Sequence, residues 1–268
     1  MGLRTPFIGG YHDGNEVRGK HMQNESMLAE IVRVYGYEYE LIDAYAARPL
    51  GDGPYPGVLV CHHMPGWDEW TREVVRKIAA HGYNAISPNL HSRYAGATAQ
   101  ERSAAVRASG GQVDAQVLDD LGGGERWLRD LKTSNGKVGL IGFCSGGRVA
   151  YMASAKMPSL DCAVDCWGGN VTAPPAEPND NQPLPPIEMT AEISVPLLGL
   201  FGNDDPNPDV AQVDAIEAAL KAHGKDYAFH RYDGAGHAFF NWHNERYRPE
   251  QALDGWQKVF AFFEAKLG

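Results

Sequence analysis

Hydrophobic and polar residues alternate along most of the chain in blocks of strand and helix length. Short apolar runs that end at Gly, Pro or Asn predict buried strands, and longer stretches with apolar residues three or four positions apart predict helices. The predicted strands are 57–62, 84–87, 137–141, 162–167, 195–201 and 227–232, and the predicted helices are 69–81, 113–131, 145–157, 210–223 and 249–266. This alternation is typical of an α/β fold in which a mostly parallel central sheet has helices on both faces.

The N-terminal part follows a different pattern. Apolar and polar residues alternate in 28–35 and 38–46, on either side of a glycine, which predicts an antiparallel hairpin at one edge of the sheet. Residues 1–26 are polar and lack periodicity, so they are predicted to be an arm rather than a domain. No linker or repeat divides residues 27–268, which predicts a single domain; its proline-rich stretch 171–187 is expected to be a surface loop or lid.

Composition and charge narrow the class of protein. A chain of 268 residues with 43% hydrophobic content can fill the core of one large domain. The formal net charge of −10 is spread along the sequence, which argues against a nucleic-acid partner. No apolar run reaches the length of a membrane span and the N-terminus lacks the apolar segment of a signal peptide, so a cytoplasmic protein without a membrane partner is predicted. A homodimer is a further expectation, based only on an arm long enough to pack on a neighbouring subunit.

The most informative motif lies between the predicted strand 137–141 and the predicted helix 145–157. The chain there has Gly-Phe-Cys-Ser-Gly, with Cys144 at the centre, which is the pattern of a nucleophile elbow with cysteine in place of serine. Such a turn directs the side chain into a cleft, and the start of the following helix favours a thiolate. The alternative is that Cys144 is a small buried hydrophobic residue, as we expect for Cys162 and Cys166. All four cysteines, including Cys61, are predicted to be reduced.

Two later motifs supply partners for this cysteine. The pair Asp204 and Asp205 follows the strand 195–201, and His237 lies in a glycine-rich loop after the strand 227–232. The order nucleophile, acid, histidine is that of α/β-hydrolases, and parallel strands gather such residues at their carboxyl ends. We expect His237 to take the proton of the nucleophile and one of the two aspartates to orient it. The other aspartate is expected to cap a turn or helix.

From about Leu28 to the C-terminus these motifs resemble the dienelactone hydrolases, which are α/β-hydrolases with a Cys-His-Asp triad. The resemblance implies that Cys144 is the nucleophile, Asp205 the acid and His237 the base, with no metal and no organic cofactor. It further implies that a small-molecule ester or lactone is cleaved through a thioester acyl-enzyme. The oxyanion donors would be the backbone N–H groups of Ser145 and Met64.

The resemblance also suggests substrate contacts, some of which depart from the family pattern. The segment 88–93 is similar to the family's Pro-Asp-Leu-Tyr-Ala-Arg, so Arg93 is expected to bind a substrate carboxylate. His63 stands where the family has a glutamate that helps activate the thiol. Asn241 stands where the family's lactonases have a second arginine, which weakens the expected anion clamp.

Tryptophans near predicted strand ends, among them Trp67 and Trp167, could line a larger and more apolar pocket. A bulkier or less acidic ester would then be the substrate. Two alternatives remain at this point: a broad carboxylesterase or thioesterase without a lactone substrate, and a non-catalytic relative in which Cys144 is a redox-sensing thiol beside a ligand pocket.

Overall fold

One eight-stranded sheet organises the protein. The computed structural model describes residues 26–172 and 179–268, so the predicted arm lies outside the described residues except for Ser26. The strands lie in the order β1-β2-β4-β3-β5-β6-β7-β8. Their bounds are β1 Met27–Tyr35, β2 Leu41–Pro49, β3 Tyr55–Cys61, β4 Asn84–Pro88, β5 Ser134–Phe143, β6 Cys162–Cys166, β7 Leu197–Gly202 and β8 Tyr227–Tyr232.

The sheet is parallel except at its N-terminal edge. β2 is antiparallel to both β1 and β4, and every other neighbouring pair is parallel. The predicted edge hairpin is confirmed, with Met27 opposite Pro49 and Tyr35 opposite Leu41. β2 begins later than predicted because a 3-10 turn precedes it, in which Glu38 and Tyr39 have positive φ and cannot continue a strand.

The described part of the chain contains six α-helices, and five of them match predicted helices. They are α1 Glu69–Ala80, α2 Ala99–Ala108, α3 Asp114–Asp130, α4 Ser145–Lys156, α5 Val210–Ala222 and α6 Pro249–Leu267. The sequence analysis missed α2, although Thr98 and Glu101 form a complete capping box at its start. It also missed a 3-10 helix, Pro186–Glu192, at the end of the predicted lid. Residues 173–178 of that predicted lid lie outside the described part of the chain.

Each face of the sheet carries its own apolar core. On one face, α3, α4 and α5 pack on the sheet through residues such as Leu121, Met152 and Ile216. On the other face, α1 and α6 pack through residues such as Val74 and Phe263. The prediction of a mostly parallel sheet with helices on both faces is therefore confirmed. Among the residues described, no helix is long and apolar enough to cross a membrane.

The strand order places a crevice at the carboxyl ends of β3 and β5. From β3 the chain crosses by α1 to β4 on one side, and then returns by α2 and α3 to β5 on the other side of β3. Loops that leave adjacent parallel strands in opposite directions separate and open a crevice, where ligands bind in open α/β sheets. Cys144 follows β5 and Met64 lies in the loop after β3, so both residues face this crevice.

Candidate active site

Cys144 sits in a sharp turn between β5 and α4. Its backbone dihedrals are φ 56° and ψ −117°, in a region that residues other than glycine rarely occupy. Its N–H donates to the carbonyl of Cys166 on β6 at 3.0 Å, and its carbonyl accepts from the N–H groups of Gly147 and Arg148. The turn is thus tied both to the sheet and to the first turn of α4. The predicted elbow geometry is present at this position.

Glycines on both sides of the turn allow the backbones to approach closely. A Cβ on Gly142 would lie 1.8 Å from the carbonyl oxygen of Gly146, and a Cβ on Gly146 would lie 2.2 Å from that of Cys61. Neither contact is compatible with a side chain, because real Cβ atoms essentially never come within 3.0 Å of another heavy atom. The two glycines therefore fix the start of α4 against β3 and β5.

The acid and the histidine come from the loops after β7 and β8. Nδ1 of His237 lies 2.8 Å from Oδ2 of Asp205, and the other oxygen of Asp205 accepts from the N–H of Asn207 at 2.9 Å. Asp205 is only 4% exposed, so its carboxylate interacts with these partners rather than with solvent. The neighbouring Asp204 instead donates its backbone N–H to Ala235, which holds the two loops together. Of the two aspartates, the structure brings Asp205 to the histidine.

His237 forms a hydrogen bond with the thiol of Cys144. Burial alone would raise the pKa of Cys144, but the bond to His237 and the positive charge of its ring outweigh burial and lower that pKa below its usual value. Burial would also lower the pKa of His237, whereas its bonds to Asp205 and Cys144 raise it. The two side chains together favour a thiolate and an imidazolium.

Two backbone N–H groups act on the same thiol. Those of Ser145 and Met64 oppose the effect of burial and help to lower the pKa of Cys144. Ser145 is the first residue of α4, where the helix dipole acts in the same direction. The two residues predicted to supply the oxyanion donors therefore lie near the thiol, although one follows β5 and the other follows β3.

A cavity of about 750 Å³ opens in front of Cys144. Besides the residues already described, its wall contains five carboxamide side chains and three arginines. They are Gln112, Asn170, Asn179, Gln182, Asn207, Arg107, Arg148 and Arg246. This cavity is large enough for a drug-sized ligand.

The three arginines of the wall differ in how their charge is balanced. Arg148 forms a bidentate pair with Asp114 at 2.6 and 3.0 Å, and both side chains are buried. Arg107 donates to Ser103, and no carboxylate among residues 26–172 and 179–268 pairs with it or with Arg246. Two uncompensated positive charges therefore line the cavity of a chain whose net charge is −10.

Arg93, which was expected to bind the substrate, lies away from the cavity in front of Cys144. Its guanidinium contacts both oxygens of Asp120, at 2.7 and 3.1 Å, and lies 2.6 Å from Glu40. Asp120 is 1% exposed, so the buried carboxylate holds the arginine against the β1–β2 hairpin. Arg93 does not line the cavity.

The two tryptophans expected to line the pocket lie away from this cavity. Trp167 is 1% exposed and packs against Phe143, Phe239 and Phe240 in the core. Trp67 donates to the carbonyl of Ser87 and lines a different cavity. Among the described residues, no tryptophan lines the cavity in front of Cys144.

His63 and Asn241 likewise have structural partners instead of cavity positions. Nε2 of His63 lies 2.9 Å from Oδ2 of Asp68, the N-cap of α1, and its ring packs on Trp70. Asn241 is 7% exposed and accepts from the N–H of His243. Neither side chain lines the cavity in front of Cys144.

The sequence analysis missed the residues that do form this wall. Arg107 and Gln112 lie on or just after α2, a helix that was not predicted, and Gln182 is part of the segment interpreted as a lid. The capping box of α2 was a usable signal for Arg107. Arg246 lies between β8 and α6 and carries no motif that would distinguish it.

Comparison with known proteins agrees with this geometry. The strand order and the elbow after β5 define the class of α/β-hydrolases. The family model "Dienelactone hydrolase family" matches residues 42–267. The chain belongs to this family.

Individual relatives extend over most of the chain. A protein of Methylorubrum extorquens named "Putative carboxymethylenebutenolidase" is 33% identical over 226 residues, which cover 83% of this chain and 76% of that protein. A Synechocystis protein of the same name is 32% identical and covers 84% and 92%. A crystal structure titled as a "Putative Dienelactone Hydrolase" from Klebsiella pneumoniae is 30% identical, with a TM-score of 0.81 over 90% of this chain and 99% of that one. Together they identify a hydrolase of the dienelactone hydrolase type.

Proposed function

We propose that this protein hydrolyses a carboxylic ester or lactone through a thioester acyl-enzyme on Cys144. The observation that supports the proposal most strongly is the strained elbow at Cys144, which faces the same cavity as the His237–Asp205 pair and the oxyanion candidates Ser145 and Met64. A structural cysteine needs none of these partners, whereas a nucleophile needs a base and an oxyanion site.

In the first half of the reaction, the Cys144 thiolate attacks the carbonyl carbon and forms a carbon–sulfur bond. The carbonyl electron pair moves to oxygen, and the oxyanion accepts from the N–H groups of Ser145 and Met64. Collapse of this intermediate breaks the bond to the alcohol oxygen. That oxygen takes the proton from His237, and the thioester remains.

In the second half, water attacks the thioester while His237 takes one of its protons. The second tetrahedral intermediate uses the same two N–H groups and then expels the thiolate, which releases the carboxylic acid. Asp205 holds Nδ1 of His237 throughout and stabilises the ring when it is positively charged. For a lactone the alcohol and the acid remain one molecule, so a hydroxy acid leaves in a single step.

We propose further that the substrate carries an anionic group that contacts Arg107 and Arg246. Both arginines line the cavity and lack a paired carboxylate within the described residues. They take the place of Arg93, whose charge is balanced by Asp120. The carboxamides of the wall supply donors and acceptors for further oxygens of the substrate.

Turnover of a p-nitrophenyl ester and of a dienelactone, by wild type and by Cys144→Ala, tests the proposal. Loss of a nucleophile that acts with its base costs about 10⁴-fold or more in kcat. Cys162→Ala is the matched control, because Cys162 is a buried thiol on β6 away from the cavity. Normal turnover by Cys144→Ala would contradict the mechanism. Rapid alkylation of Cys144 without turnover of either substrate would favour the redox-sensing alternative.

A further inference from the structure

A second cavity, of about 240 Å³, lies between the loops after β3 and β4 and the N-terminus of α2. Trp67 and Arg72 line one side of it, Asn89 and His91 a second side, and Arg102 a third. This cavity shares no residue with the wall in front of Cys144. It is therefore a separate site, which the proposed hydrolysis does not use.

His91 is the unusual residue of this wall. It is 1% exposed, and neither of its ring nitrogens has a hydrogen-bond partner among the described residues. A buried polar group without a partner is destabilising, so such groups are rare unless a ligand, an ion or an ordered water completes them. Burial, with further contributions from the neighbouring His62 and Arg107, lowers the pKa of His91 to about 2. The ring is therefore neutral and offers one N–H donor.

Two arginines add donors on the other sides of the cavity. Nε of Arg72 is buried and lacks a partner within the described residues. Arg102 uses its Nε for the carbonyl of Gly96, and no partner is found for its two terminal nitrogens in the same part of the chain. The acidic residue of the wall, Asp43, pairs with Arg33 at 3.3 Å. Nη1 of Arg72 lies 3.9 Å from Glu69 and its guanidinium stacks on Trp67, so Arg102 is the less compensated of the two arginines.

The start of α2 also offers donors to this cavity. The helix is ten residues long, and Ala99, its first residue, lines the cavity. The N–H group of Glu101 donates to Oγ1 of Thr98, whereas the N–H groups of Ala99 and Gln100 have no partner among the described residues. A negatively charged ligand would gain from these groups and from the helix dipole.

We propose that this second cavity binds a small oxyanion, a carboxylate or a phosphate, through Arg102, Arg72 and His91. The planar guanidinium groups match the oxygens of such an anion, and the neutral ring of His91 supplies a third donor. The volume is sufficient for an inorganic phosphate or a short carboxylic acid. This binding does not depend on hydrolysis at Cys144.

Thermal unfolding of the full chain in sodium phosphate, in sodium acetate and in sodium chloride of equal ionic strength tests this site. A ligand that binds only the folded state raises Tm in a saturable manner. We expect such a rise over chloride with phosphate or with acetate, and the anion that gives it identifies the source. Arg102→Gln is expected to weaken the apparent affinity at least tenfold.

Lys221→Gln is the matched control, because it removes the same charge from an exposed helical position that lines neither cavity. It should change the apparent affinity less than twofold. The proposal is overturned if neither anion stabilises the protein more than chloride, or if Arg102→Gln responds to the anions as the wild type does. NMR of the ring nitrogens of His91 in the wild type gives a second measurement that needs no variant to fold. Their resonances should shift with the same saturation curve, and unchanged resonances would also overturn the proposal.

Discussion

The turn that holds Cys144 and the wall that faces it are built in different ways. The turn is fixed by backbone contacts, since Gly142 and Gly146 leave no room for a side chain and the N–H of Cys144 donates to Cys166 on β6. The wall is formed by side chains from α2 and from loops, and both Arg107 and Arg246 are exposed. Under the proposed function, the reaction chemistry would depend on packed backbone, whereas selectivity would depend on surface side chains that can change without disturbing the fold.

The first prediction concerns the buried acid that partners His237 beside the Cys144 turn, and it has the largest expected effect. Asp205→Asn removes the charge that orients His237 and stabilises its imidazolium, so kcat should fall about 10³- to 10⁴-fold with the fold intact. Steady-state kinetics and circular dichroism check both parts. Asp204→Asn, one residue away and not bonded to His237, should keep kcat within a few-fold. Equal losses in the two variants would mean that the acid is assigned to the wrong residue.

The second prediction is that Arg93 stabilises the fold and does not contact the substrate. Arg93→Gln leaves the buried carboxylate of Asp120 without its main partner, so the free energy of unfolding should fall by about 3 kcal/mol. Urea unfolding measures this loss. Arg33→Gln breaks an exposed pair and should cost less than about 1 kcal/mol. A stable Arg93→Gln variant that has lost selectivity for anionic esters would restore Arg93 to the substrate site.

The third prediction concerns the pH dependence of the thiol. Because His237 lowers the pKa of Cys144, alkylation by iodoacetamide should have its midpoint below the ordinary thiol pKa of about 8.5. In His237→Gln the midpoint should rise by more than about one pH unit. Burial raises the pKa of Cys144, and His237 would no longer oppose that effect. The sign follows from linkage: the folded pKa is depressed, so the thiolate stabilises the fold above the unfolded pKa, and this contribution is lost as pH falls through the folded pKa. An unchanged midpoint in the variant would remove His237 as the cause.

The fourth prediction concerns the wall and has the smallest effect. Arg107→Gln and Arg246→Gln should each lower kcat/KM about tenfold more for a mono-p-nitrophenyl glutarate than for p-nitrophenyl butyrate, as expected for the loss of a solvent-exposed charged contact. Arg102→Gln is the control on the same helix. If the ratio of the two substrates stays constant in both wall variants, the anion is recognised elsewhere or not at all.

These comparisons also explain what the sequence could predict. The strand and helix pattern, the elbow and the order of Cys144, Asp205 and His237 are local signals, because each motif follows its own strand and the parallel sheet gathers them at one edge. The fold class and the family are confirmed. The structure brings the three side chains together, and their catalytic roles remain predictions.

The substrate wall could not be predicted in the same way. Arg93 occupies the position that the resemblance favours, but its side chain pairs with Asp120, which lies 27 residues further along the chain. Nothing in the local sequence around Arg246 indicates that its loop reaches the cavity. Trp167 follows β6 as expected and yet turns into the core, where four aromatic rings pack together. Side-chain direction at loops depends on tertiary contacts, which no local pattern records.

The central claim is that a covalent acyl-enzyme precedes hydrolysis, and product partitioning tests it most directly. Two esters that share an acyl group and differ in their alcohol are hydrolysed in buffer with added methanol, and the ratio of methyl ester to acid is measured for each. A common thioester on Cys144 loses its alcohol before water or methanol attacks, so the account predicts the same ratio for both esters. A ratio that depends on the departing alcohol would contradict the acyl-enzyme and indicate direct attack by water.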